Sequence, residues 1–126
     1  MANSRLFQFR YSYERDLVDV YAKVSFGAAG APTLQAGKGI LSVSRISAGR
    51  FQINLKDNFN KLMFAQDTFQ VAAGPAAPIM YIAADNSSLA NSPNIIVQFS
   101  TSGGVATDPA SGEVVYLEIT LRNAST

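Results

Sequence analysis

"LVDVYAKVSF", residues 17–26, decides the fold class. Val18, Val20, Ala22, Val24 and Phe26 fall on one side of an extended chain, and Asp19 and Lys23 fall on the other. Apolar residues at every second position suit a strand with one buried face, whereas a helix needs them three and four apart. The same alternation recurs along the chain and no segment keeps a helical period, so the expected fold is all-β.

Immediately after this strand, "GAAGAPTLQAG" at 27–37 interrupts the pattern with Gly27, Gly30, Pro32 and Gly37 and reads as a surface loop. "GILSVSRI" at 39–46 and "RFQINLK" at 50–56 read as the two arms of a hairpin. Their link, Ser47-Ala48-Gly49, ends on the residue that best tolerates the left-handed region after a type I turn. Phe51, Ile53 and Leu55 mark the inward face of the second arm. "DNFNKL" at 57–62 reads as one helical turn capped by Asp57, with Phe59 and Leu62 turned inward.

Strands resume at 63–72, 78–84, 95–102 and 113–122, separated by glycine-, proline- or Asn/Ser-rich links such as "DNSSLANSPN" and "GGVATDPASGE". In the last strand Val115, Leu117, Ile119 and Leu121 oppose Tyr116, Glu118 and Arg122. With an N-terminal stretch counted, the expectation is a single-domain antiparallel β-sandwich, jelly-roll-like, of about eight strands. A chain of 126 residues is long enough to bury one core without staples. Residues 1–16 then form an N-terminal strand or arm, and 17–126 the sandwich.

That N-terminal stretch contains "RLFQFRYSYER" at 5–15. When extended, it puts Arg5, Phe7, Phe9, Tyr11 and Tyr13 on one face and Leu6, Gln8, Arg10, Ser12 and Glu14 on the other. Burying each ring is worth roughly 1.5–3 kcal/mol, so the stripe calls for a docking surface. Two are open: the protein's own sandwich, or the sheet edge of a neighbouring subunit or partner.

Composition narrows the chemistry. The chain has neither cysteine nor histidine, which excludes disulfides, thiolate nucleophiles, cysteine zinc sites and a Ser-His-Asp triad. Gly30–Lys38 departs from a phosphate loop, with Pro32 at the first glycine position and Gly39 where Ser or Thr is required. Asp16 with Asp19, and Asp57 with Asp67, are the nearest carboxylate pairs, but they fall at strand ends, turns or exposed faces where a solvated acid is ordinary. Asp85, Asn86 and Asp108 lack the dense oxygen spacing of a calcium loop. No enzyme, cofactor or metal is expected. Asn86-Ser87-Ser88 and Asn123-Ala124-Ser125 fit the glycosylation pattern, yet no secretory leader is evident at 1–15 and no run reaches membrane-span length.

Charge is uneven. Residues 1–61 hold nine bases and four acids (+5), and 62–126 hold Arg122 against five acids (−4). The bases are spaced singly, so neither nucleic acid nor membrane is an expected partner.

Three segments carry a resemblance to known proteins: "FRYSYERDLVDVYAKVSFGAAGAPTL" at 9–34, "KGILSVSRISAGRFQINLKDNFNKLMFAQ" at 38–66 and "ASGEVVYLEITLRN" at 110–123. The chain resembles small structural proteins of tailed bacteriophages, and among them it is most similar to capsid decoration or cement proteins. This resemblance implies a virion component on the outer capsid surface, made in the host bacterial cytoplasm. It would act as a homodimer or homotrimer bridging major capsid subunits. A head-fibre or tail-tip module that binds a host receptor or carbohydrate is the alternative. The interface residues expected are Phe7, Phe9, Arg10, Tyr11 and Tyr13 in the arm, with Arg45 and Arg50 beside the Ser-Ala-Gly turn making salt-sensitive contacts to an acidic capsid surface.

Overall fold

The computed structural model describes residues 17–71 and 78–123. Among them eight strands form: β1 (Leu17–Phe26), β2 (Pro32–Lys38), β3 (Ile40–Ser47), β4 (Arg50–Leu55), β5 (Lys61–Gln70), β6 (Ile79–Asn86), β7 (Asn94–Ser100) and β8 (Val114–Arg122). They make two four-stranded sheets, β2-β1-β8-β5 and β3-β4-β7-β6, in which every neighbouring pair is antiparallel. The expected all-β sandwich is what the chain builds. The aromatic stripe at 5–15, with Phe7, Phe9, Arg10, Tyr11 and Tyr13, lies outside the described residues.

Period-two alternation supplies the core. Val20, Ala22, Val24 and Phe26 of β1 and Val115, Leu117, Ile119 and Leu121 of β8 face Phe51, Ile53 and Leu55 of β4 and Ile95, Val97 and Phe99 of β7, and all are buried. At one end of this layer Phe99 is the hub of an aromatic cluster. Its ring meets Phe26, Phe51 and Phe69 edge to face, with centroids 6.0, 5.6 and 5.6 Å away. Such pairs add about 0.5–1.5 kcal/mol beyond the area they bury, and here they join both sheets.

Two expectations are corrected. The segment 27–37 is not all loop: after a short turn at Ala28–Gly30, β2 pairs with β1 from Phe26↔Pro32 to Tyr21↔Lys38, with a bulge at Lys23/Val24. Leu34 packs against the core and gives this glycine- and proline-bearing strand its inward face. The segment 57–62 forms no helical turn. Its backbone donors are drawn elsewhere, Phe59 N–H to Ser87 O (2.8 Å) and Asn60 N–H to Arg122 O (2.8 Å). Phe59 and Leu62 do turn inward against the core, as expected. The β3–β4 hairpin forms, with Gly49 at φ +71°.

Candidate interaction surfaces

The two arginines singled out in the sequence point to opposite sides of their sheet. Arg45 is paired with buried Phe51, so it projects on the core-facing side at the free edge of β3. Arg50 is paired with Gln98 and shares the outward face with Gln52 and Asn54. Arg45 is also already engaged. Its Nε and Nη2 donate to the two carboxylate oxygens of Asp108 at 3.1 and 2.9 Å, a two-pronged pair of the geometry guanidinium favours. Gly49 N–H donates to the same carboxylate at 2.8 Å. Gly30 lies so close that a Cβ there would sit 2.6 Å from Asp108 Cγ. The loop between β7 and β8 is thus clasped to the β3–β4 hairpin.

This clasp sets a pH dependence. The hydrogen bond from Arg45 holds the Asp108 carboxyl below the ordinary carboxylate value against the opposing effect of burial, with Gly49 N–H and the Arg45 charge helping. A depressed acid contributes stability above its unfolded pKa and loses it as pH falls through the folded one. Thermal melts of the wild type and Asp108→Asn should therefore differ most near neutrality and differ less at pH about 3, below the ordinary Asp pKa of about 3.9, where this stability is being lost. An equal difference at both pH values would mean that the carboxylate charge is not what the clasp uses.

A second clasp joins the sheets at the opposite side of the sandwich. Asp85 at the end of β6 accepts from Leu62 N–H of β5 (2.9 Å), from Ser87 N–H (3.0 Å) and from the Ser87 hydroxyl (2.5 Å). Burial alone would raise this carboxyl, but the three hydrogen bonds outweigh it and hold the pKa low. Asp85 and Asp108 are thus structural anchors within their loops. Among the described residues no three acids come together as a metal-binding group.

The outer faces differ in chemistry. On the β2-β1-β8-β5 sheet, Tyr21 and Tyr116 are 49% and 41% exposed and line a shallow groove of about 450 Å³ with Lys23, Ala36, Gly37 and Lys38. Small residues on β2 leave this trough open beside the rings. Lys23 Nζ lies 5.6 Å from the Tyr116 ring centroid, and Tyr116 donates its hydroxyl to Gln70 at 2.9 Å. On the other sheet the outward face carries amide and hydroxyl pairs, Gln52 donating to Asn54 (2.6 Å), Asn54 to Ser42 (2.9 Å) and Asn86 to Asn94 (3.1 Å), beside Ile79 and Tyr81 of β6. Both tyrosines occupy the outward positions of the alternation that identifies β1 and β8, so the rings of the groove are legible in the sequence, while its small-residue floor depends on the pairing of β2 with β1.

The edges differ as well. β3 carries Arg45 inward and two register irregularities, β5 carries Asp67 on its inward side and a bulge, and β2 opens on Pro32. Burial raises the Asp67 carboxyl above its ordinary value, partly offset by a backbone hydrogen bond, as an inward acid on an edge strand would experience. β6 has an irregularity between Ile82 and Ala84 and an inward acid at Asp85, but over Ile79–Ile82 its register is regular, no residue is charged, and Ile79, Tyr81 and Ile82 are 51%, 45% and 38% exposed. No family model matches the chain, and comparisons with curated proteins and with solved structures give no significant match.

Proposed function

We propose that the chain is a structural component of a tailed-phage virion, a capsid decoration or cement protein that bridges major capsid subunits as a homodimer or homotrimer on the outer head surface. The supporting observation is the side of the sandwich formed by β5 and β6. Ile79, Tyr81 and Ile82 of β6 are exposed there beside a backbone edge that has no strand partner among the described residues, and Met63 and Phe64 are exposed on neighbouring β5. Apolar side chains next to unpaired strand edges favour extended association over capture of a small molecule. The mechanism is cross-linking by buried area, with no covalent bond made or broken. Repeated over a shell, a standard interface of roughly 1,600 Å² per contact holds even where single contacts are modest.

A second reading, a head-fibre or tail-tip module for a host receptor or carbohydrate, draws on the Tyr21–Tyr116 groove. Its exposed rings, small-residue floor and nearby Lys23 and Glu118 offer the stacking and polar contacts a sugar ring uses.

Copy number separates the two. Quantitative mass spectrometry of purified virions should find hundreds of copies, in a simple ratio to the major capsid subunit. A dozen or so would move the chain to a fibre or tail tip, and none would remove it from the virion.

A further inference from the structure

We propose that the exposed edge of β6 accepts residues 5–15 of a second copy of this chain as an added antiparallel strand, with the Phe7, Phe9, Tyr11 and Tyr13 face turned into the open side of the sandwich. The inference rests on the reading that this protein works by self-association, and it assigns the acceptor.

Four features lead to β6. Among the described residues it is hydrogen-bonded only to β7, so one side of its backbone has no strand partner there. Its residues Ile79–Ile82 are uncharged and in regular register; the irregularity comes later, between Ile82 and Ala84. The guards β6 does carry, its irregularity and the inward Asp85, lie beyond this stretch, and uncharged edges in regular register are the ones that recruit another strand. The space beside it is also apolar. Ala65 and Phe69 of β5 and Met80 of β6 pack against the core yet stay half-buried, and Ile82 stands at the rim.

The occupant follows from pattern, charge and reach. Residues 6–13 alternate aromatic and other side chains over a length that matches the eight residues of β6. Arg5, Arg10 and Arg15 outnumber Glu14 in the segment, while the acids of the accepting side are Asp67 and Asp85. The same copy does not supply it. Four Cα steps from Tyr13 to Leu17 span at most about 14 Å. Leu17 lies opposite Arg122, which lies opposite Lys61, so β1 sits two strands in from β5. The lane outside β6 is a further strand out and one sheet across, about 17 Å away by standard spacings. A strand arriving from β1 in the same copy would also run parallel to β6, since β1 and β5 share a direction opposite to that of β6. A second copy removes both restrictions.

The native chain has no cysteine, which makes the test clean. Phe7→Cys, Phe9→Cys and Tyr11→Cys, each on a tagged full-length chain, are mixed in turn with untagged Ile82→Cys under mild oxidation. Untagged Leu41→Cys on the exposed β3 edge is the control acceptor. At least one donor should give a tagged–untagged disulfide dimer several-fold more abundant with Ile82→Cys than with Leu41→Cys, and Ile82→Lys should lower the sedimenting mass of an otherwise native chain that keeps its far-ultraviolet spectrum. Equal yields with the two acceptors from every donor, or a wild-type chain that sediments as a monomer at all concentrations, would overturn the proposal. Because these assays use purified protein, lack of the cross-link in a chain present at hundreds of copies per virion would sink the β6 assignment and leave the cement reading standing. A cross-linking chain absent from virions would do the reverse.

Discussion

Replacing Phe99 with alanine is expected to lower the unfolding free energy by about 3–5 kcal/mol, the cost of emptying a large aromatic site in a core that cannot fully collapse. The ring is 1% exposed and, among the described residues, is the only one in contact with all three of Phe26, Phe51 and Phe69. Its loss removes three edge-to-face contacts and leaves a void between the sheets. A domain of this size has a net stability of about 5–15 kcal/mol, so the variant forfeits a large share of it. Phe69→Ala is the comparison. That ring is half-buried on β5 and meets only Phe99 among the aromatic contacts, so about half the loss is expected. Urea unfolding followed by far-ultraviolet circular dichroism gives both numbers. Equal losses would mean that the cluster has no hub and that the two sheets are held by the aliphatic layer alone.

The same residues show what alternation can and cannot reveal. Spacing alone places Phe26 and Phe51 inward, because a strand has two faces and burial chooses between them. β2 was missed for a different reason. Gly30, Pro32 and Gly37 carry local signals for a loop, but pairing to β1 and the packing of Leu34 override them, as strand propensity is set largely by neighbours. The helical turn at 57–62 failed in the same way: Asp57 offers a local cap, yet the amides of Phe59 and Asn60 find carbonyls at Ser87 and Arg122, far along the chain. Arg45 is the clearest case among the candidate residues. It sits opposite Phe51, and nothing near it in sequence announces that Asp108, 63 residues on, will occupy it. Residues 5–15 remain an argument from pattern, and the structure contributes the edge against which that pattern can be tested.

Gly49→Ala should cost roughly 2–5 kcal/mol, and the reason is only half visible in the Ser-Ala-Gly turn. The turn requires a positive φ, observed at +71°, where a side chain costs about 1–2 kcal/mol. The remainder comes from crowding. A Cβ at this position would lie 2.4 Å from the carbonyl oxygen of Phe99 and 2.8 Å from the amide nitrogen of Thr107, both backbone atoms with little freedom to retreat. They are held because Phe99 N–H donates to Gly49 O at 2.7 Å, Thr107 N–H donates to Phe99 O at 3.1 Å, and Gly49 N–H donates to Asp108 at 2.8 Å. Relieving the clash would therefore break at least one bond of the clasp that pins the β7–β8 loop to the hairpin. Gly104→Ala isolates the conformational part, since Gly104 has φ +85° and nothing within 4 Å of its would-be Cβ. The difference between the two variants, about 1–3 kcal/mol, measures the close approach. If Gly49→Ala costs no more than Gly104→Ala, the hairpin and the loop are joined loosely enough to part, and the Arg45–Asp108 pair must hold them without help from the backbone.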